Sequence, residues 1–302
     1  MNINGEMSGE RMTETDQKNL PQLQWFPGHM KKAQRLIEEN LKLVDIVIEV
    51  LDARIPLSSQ NPMLKDILND KPRLFALCKA DLADKKATQD WIDKFTEEGI
   101  STVAVDTVKG SGIKSLIAAA KTLAEPKTHK LTSHGVKPRS ARAMIIGIPN
   151  VGKSSLINRL AGVNHTKIEN RPGVTRAKQW IKIDNGLDLL DTPGILWPKF
   201  EDPEAALKLS WTYAISDEIH DLEIVVCRLL ETLAANYKQG LADRFKLNLP
   251  LPQDGGELLE IIGKKRGCIR KGGLVDSEKA QRLVLNEFRS GKLGRVTLDY
   301  ID

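Results

Sequence analysis

The sequence predicts an α/β fold followed by a smaller, mostly helical carboxyl-terminal unit. Three observations carry that expectation. β-branched apolar runs alternate with amphipathic stretches through the first part of the chain, a glycine-bearing turn joins one such run to a helical pattern at residues 147–154, and after Pro198 helical periodicities take over.

Leu43 to Leu51, LVDIVIEVL, is a β-branched apolar run before Asp52, and Arg73 to Leu77 and Thr102 to Val105 repeat the form, as buried parallel strands do. Between them Met30 to Lys42, Pro62 to Leu68 and Ala87 to Glu98 read as crossover helices. Gly112 to Ala124 adds another helix, and Glu125 to Ser140, with Pro, His, Ser and Lys, reads as a linker. Arg142 to Ile146 starts a new strand, followed by a helix at Lys153 to Leu160. Trp180 to Ile183 and Leu187 to Leu190 read as an antiparallel pair turning at Asp184-Asn185-Gly186. Pro203 to Ile215, Leu222 to Tyr237, Gly256 to Ile262 and Ser277 to Arg289 are amphipathic helical patterns. The expected organisation is a polar arm over 1–20, an α/β domain over 21–200 and a helical domain over 201–302.

Composition narrows the class. Hydrophobic residues are 41% and charged residues 28% of the 302, an ordinary globular balance. No apolar stretch approaches the roughly 20 residues that cross a bilayer, and the first twenty positions lack a secretory core, so a cytoplasmic protein with no membrane partner is expected. Cys78, Cys227 and Cys268 are odd in number and form no CxxC pair, which argues against a disulfide framework or a zinc site. The net charge of +5 permits a polyanionic partner. Two basic groups stand out, the run from Lys127 to Arg142 and the set Lys264, Lys265, Arg266, Arg270 and Lys271; each is either a solvated face or a nucleic-acid contact.

Gly147-Ile148-Pro149-Asn150-Val151-Gly152-Lys153-Ser154 matches GxxxxGKS after a strand and at the start of a helix. In that setting backbone N–H groups from Asn150, Val151, Gly152 and on to Ser155 can surround phosphates, Lys153 reaches the β and γ groups, and Ser154 can ligate Mg2+. Downstream, Thr175 in Pro172-Gly173-Val174-Thr175 and Asp191 in Asp191-Thr192-Pro193-Gly194 supply further Mg2+ donors, and Gly194 offers an N–H to the γ-phosphate.

A carboxylate facing the guanine N1–H and exocyclic amine selects guanine over adenine, and Asp81 in Leu77-Cys78-Lys79-Ala80-Asp81 ends a strand in position to do so. The GTPase pattern is NKxD; Cys78 stands where Asn is expected, which weakens a polar contact while Lys79 can still pack its stem on the base. Val105 to Gly110 occupies the place of a short loop against the base, or is only a strand end and turn. An ATP-dependent enzyme is disfavoured by Asp81.

The base-recognition residues thus precede the phosphate loop, the reverse of the usual order. With Trp25-Phe26-Pro27-Gly28-His29-Met30 and Asp52-Ala53-Arg54-Ile55-Pro56 ahead of CKAD, GIPNVGKSS, PGVT and DTPGI, the chain resembles the circularly permuted GTPases of the bacterial ribosome biogenesis GTPase A family. That resemblance, from Trp25 onward, implies a GTPase that cycles between GTP and GDP, slow alone and stimulated by the ribosomal subunit. It also implies a role late in large-subunit assembly, contact with rRNA through the helical domain, and a monomer off the ribosome. The segment leaving Asp191 to Gly194 feeds into the helical domain, so a shift there on hydrolysis would reorient it.

Ile195 follows the DTPG motif where many GTPases carry Gln, and an apolar side chain cannot orient water. The resemblance implies that His29 takes that catalytic role; a residue there could also simply cap the helix from Met30. Asn150 resembles the asparagine that places K+ beside the phosphates in potassium-activated GTPases, or serves only the turn. A GTP-gated RNA-binding scaffold with negligible turnover is the alternative reading.

Overall fold

The structure, a computed structural model, describes residues 35, 37–68, 71–133, 139–162, 180–183, 186–191, 202–218 and 221–301. Among the described residues six strands, β1 (Ile46–Asp52), β2 (Arg73–Cys78), β3 (Ser101–Val105), β4 (Ala141–Ile146), β5 (Trp180–Ile183) and β6 (Leu187–Asp191), form one sheet. Its order is β3-β2-β1-β4-β6-β5, parallel throughout except for β5 against β6. Helices α1 (Pro62–Leu68), α2 (Lys85–Glu97), α3 (Ile113–Ser133) and α4 (Lys153–Ala161) connect the strands.

The uninterrupted apolar character of β1 is explained by its place: every residue is buried, as in a strand covered on both faces. Alternation divides the core. Ile46, Ile48 and Val50 share one face with Ala76, Cys78 and Ile145 beneath Leu116 of α3 and Leu156 of α4. Val47 lies on the other with Met144, Ile146 and α1, continued by Leu51 and Phe75 against Trp91 and Phe95 of α2.

From β1 the chain winds outward through β2 to β3, then returns past β1 to lay down β4 on its other side. Winding therefore reverses between β1 and β4. In open α/β sheets, ligands bind beyond the carboxyl ends of the strands at such a point.

The linker expected from Glu125 is instead helical, because α3 runs through Pro126 to Ser133. Proline removes one helical hydrogen bond, and Lys127 anchors the turn that follows: its Nζ donates to Val44 O at 2.9 Å and stands 3.2 Å from Asp45. Arg139 reaches the same carboxylate at 2.8 and 2.9 Å. Two cations of the Lys127 to Arg142 run are thus engaged at the start of β1. A third, Arg142, lies over the Trp180 ring at 5.1 Å.

The helical unit comprises α5 (Pro203–Trp211), α6 (Leu222–Asn236), α7 (Lys238–Phe245), α8 (Gly255–Lys265) and α9 (Ser277–Arg289). Asp202, Asp221, Asp254 and Asp276 cap α5, α6, α8 and α9, each side chain accepting a first-turn N–H. The sequence did not announce α7, whose Gly240 is a poor helix former; a methyl there would meet Leu293 O at 2.2 Å.

Beyond α9 an irregular tail returns to the sheet domain. Val296 N donates to Leu82 O at 3.0 Å and Leu298 N to Arg54 O at 2.7 Å. The Asp299 carboxylate accepts from Leu57 N and Ser58 N at 2.8 and 2.7 Å. Among the described residues no helix is long and apolar enough to cross a membrane.

Candidate nucleotide site

The loop after β4 lies at the winding reversal, and its backbone explains its residues. Gly147 passes so close to β1 that a methyl group would meet Val50 O at 2.7 Å. Asn150 has φ 59° and Gly152 φ 108°, both left-handed, a conformation that Gly and Asn tolerate. Gly152 then opens α4 without a side-chain cap or an acid in the first turn. Uncapped N-terminal amides favour an anion.

A cleft of about 420 Å³ is lined by Lys79 with Ile148, Pro149, Asn150, Gly152, Lys153, Ser154 and Ser155. Ser154 and Ser155 are exposed, whereas Val151 is buried and can contribute only its backbone. Cys78 is also buried, underneath the loop against Gly152. Burial, then the nearby Asp52 charge, pushes its thiol up to about 12, so it is neutral.

Lys79 enters the cleft from the end of β2, with φ 59°. Its Nζ donates to Asn150 O across a separation of 71 residues, and to Asp52 Oδ2 at 2.9 Å. Asp52 also accepts Arg54 Nε and Nη2 at 3.0 and 2.8 Å. Burial opposes its charge, but Arg54 and Lys79 outweigh that and hold the carboxyl well below the usual range.

Asp81, two positions on, is half-buried, and its carboxylate takes no hydrogen bond or ion pair from the described residues. Beside it, Ala80 N donates to Val105 O at 3.3 Å, bringing the Asp106 to Gly110 turn alongside. That turn is organised by Asp106 Oδ1, which accepts Val108 N and Lys109 N, both at 2.9 Å. Arg159 of α4 reaches Lys109 O at 3.0 Å and so ties the turn to the phosphate-loop helix.

Asn150 Nδ2 donates to Tyr213 O of the helical unit at 2.7 Å. Asp191 closes β6 in register with Ile145, next to the start of the loop. His29, Thr175 and Gly194 lie outside the described residues, as do Ile195 and the rest of the PGVT motif. The structure thus gathers Lys79, Asn150, Lys153, Ser154 and Ser155 about one cleft. It adds Asp52, Arg54 and Tyr213, for which sequence reasoning had no role; the one available signal was an Asp-Ala-Arg at the end of a buried strand.

Comparison with known proteins agrees with this geometry. A family model described as 50S ribosome-binding GTPase matches residues 142–246, opening on β4 and omitting β1 to β3, which precede it. Ribosome biogenesis GTPase A of Bacillus cereus is 50% identical over 277 residues, covering 92% of this chain and 93% of its own. That of Priestia megaterium is 50% identical over 278 residues, covering 92% and 96%. The crystal structure of GNP-bound YlqF from T. maritima is similar with a TM-score of 0.60 at 30% identity, covering 89% of this chain and 97% of that one. With likeness running almost the full length of both partners, across the permuted sheet and the helices after it, the chain belongs to the ribosome biogenesis GTPase A family.

Proposed function

We propose that this GTPase acts in late maturation of the large ribosomal subunit, its nucleotide state deciding when it holds and leaves the subunit. The observation that carries the nucleotide half is the convergence of Lys79 and the phosphate loop on one cleft at the reversal of winding.

In this reading the amides from Asn150 to Ser155 surround the phosphates, Lys153 offsets the β and γ charge, and Lys79 lies along the base while Asp81 selects guanine. Exposed Ser154 at the mouth of the helix suits a hard cation that takes oxygen donors. Ser154, Thr175 and Asp191 would hold Mg2+, which supplies charge neutralisation of the phosphates; Gly194 would report the γ-phosphate. Asn150 uses its amide nitrogen on Tyr213, which turns the side chain so that its oxygen remains for K+. His29 orients the attacking water.

Residues 21–200 form the nucleotide domain and 201–302 the rRNA-binding domain, in a cytoplasmic protein that is monomeric off the ribosome. Lys264, Lys265, Arg270 and Lys271 are exposed, Lys264 paired with Glu260, Lys265 donating to Lys246 O and Arg270 paired with Asp276 in surface contacts that phosphates can replace, whereas Arg266 stacks on Phe245 at 5.2 Å. Ile195 favours the second reading, a nucleotide-gated scaffold with negligible turnover.

Multiple-turnover GTP hydrolysis with and without large-subunit precursors separates the two. Stimulation of the wild type, lost in His29→Ala with nucleotide affinity intact, is expected. Turnover indistinguishable from buffer under both conditions leaves the scaffold. Co-sedimentation with precursors in GDP and in a non-hydrolysable GTP analogue tests the subunit assignment, and equal binding in both states would refute nucleotide control.

A further inference from the structure

Phe288 and Arg289, neighbours on the last turn of α9, each end a line of contacts that begins at the nucleotide cleft. In one, Lys79 Nζ meets Asp52 at 2.9 Å, Asp52 holds Arg54, and the Arg54 guanidinium lies 5.3 Å from the centroid of the Phe288 ring. In the other, Asn150 donates to Tyr213 O, and the Tyr213 ring lies 4.7 Å from the guanidinium of Arg289. Arg289 also grips Ser210 O at 2.8 Å and Trp211 O at 3.0 Å, so it fixes the turn that presents the Tyr213 carbonyl.

Arg54 is the unusual member. It is 2% exposed, and its Nη1 has no hydrogen-bond partner among the described residues. Asp52 and the face of Phe288 therefore carry its charge, and the tail holds its backbone through Leu298 N.

We propose that Asp52 and Arg54 are positioning residues for guanine nucleotide, and that Phe288 keeps them in place, so that seating of the helical unit and occupancy of the cleft favour one another. The proposal rests on the nucleotide reading of the cleft. One ammonium, Lys79 Nζ, serves both the Asp52 carboxylate and the Asn150 carbonyl. If Arg54 withdraws, the buried carboxylate falls to Lys79 alone and draws the ammonium away from the loop, taking the stem off the plane of the base. Coupling of this kind is reciprocal, so nucleotide must also steady α9 on the sheet domain.

Calorimetric titration of the full chain with GDP and Mg2+ tests it. Phe288→Leu keeps an apolar group and removes the aromatic face; it is expected to bind about threefold to tenfold more weakly, the scale of one cation–π contact. Arg54→Lys keeps the charge and gives up the flat face, and the same loss is expected by a second route. Leu68→Ala, in the core on the opposite face of the sheet, is expected to lower stability with affinity unchanged. Unchanged affinity in Phe288→Leu or Arg54→Lys overturns the proposal, as does an equal loss in Leu68→Ala. A wild type that binds no guanine nucleotide overturns the nucleotide reading itself and the proposal with it.

Discussion

Cys78 lies directly beneath Gly152: a methyl group built on the glycine would meet the cysteine Cβ at 3.2 Å and its Sγ at 3.8 Å. The end of β2 therefore supports the loop after β4 from below. A neutral buried thiol does this by contact alone, since it is a weak hydrogen-bond donor.

An amide at this position could also hydrogen-bond the loop. Cys78→Asn is expected to tighten guanine-nucleotide binding about fivefold, the worth of one net hydrogen bond near 1 kcal/mol, with the preference for guanine unchanged. Titration of the two proteins side by side decides it; equal affinities would refute the polar-contact account.

Lys153→Ala removes the cation expected at the β and γ phosphates. The loss should approach 100-fold in affinity for GTP, on the scale of about 3 kcal/mol for a charge-assisted contact. Thermal unfolding without nucleotide should hardly move, because Lys153 lines the cleft rather than the core.

Asp45 joins the start of β1 to α3 and to the residues just ahead of β4, through Lys127 and Arg139. Asp45→Asn is expected to cost about 2 kcal/mol, less than a fully buried pair because both cations are partly exposed. Burial pushes the carboxyl up, but Arg139 and the Arg142 N–H outweigh it, so the folded value lies below the ordinary 3.8. Its stabilisation is therefore complete above 3.8 and is lost as pH falls through the lower folded value. Urea midpoints of wild type and variant should differ at pH 7 and converge in acid; a constant difference would remove the carboxylate from the explanation.

On the proposed rRNA-binding role, neutralising Arg270 and Lys271 to Gln should weaken binding to rRNA and reduce the salt dependence by about one counterion per lost phosphate contact. Arg266→Gln should act differently, lowering stability by about 1 kcal/mol through its lost stack on Phe245. Filter binding across a salt series, with thermal unfolding alongside, distinguishes the two; an unchanged slope would point to a protein partner.

The cleft was legible in part because GxxxxGKS is local: its glycines, lysine and serine are neighbours in sequence and in space. The permutation was legible from order alone, with CKAD ahead of GIPNVGKSS. The support for Lys79 was not, because Asp52 reaches it only through the register that pairs Asp52 with Cys78 across β1 and β2. Pro126 reads as a helix breaker, yet Lys127 is anchored 83 residues away, to Val44 O just ahead of β1, which no local pattern displays. The tail after α9 has no periodicity, since its backbone groups pair with the loops at Arg54 and Leu82. Likewise the cations Lys127 and Arg139 look like a solvated or RNA-facing run until Asp45 is placed between them.

The central position of β1 has a bearing on how the chain is born. Among the described residues it is the first strand to be made, and the edge that β4 covers stays bare while residues 53 to 140 are still being synthesised. A nascent half-sheet with an open apolar edge invites mispairing. Vectorial synthesis thus leaves a hazard that only the second half relieves, and the cleft, walled by Lys79 from one half and Lys153 from the other, is completed only then. Guanine nucleotide can stabilise a finished sheet but cannot rescue a truncated one.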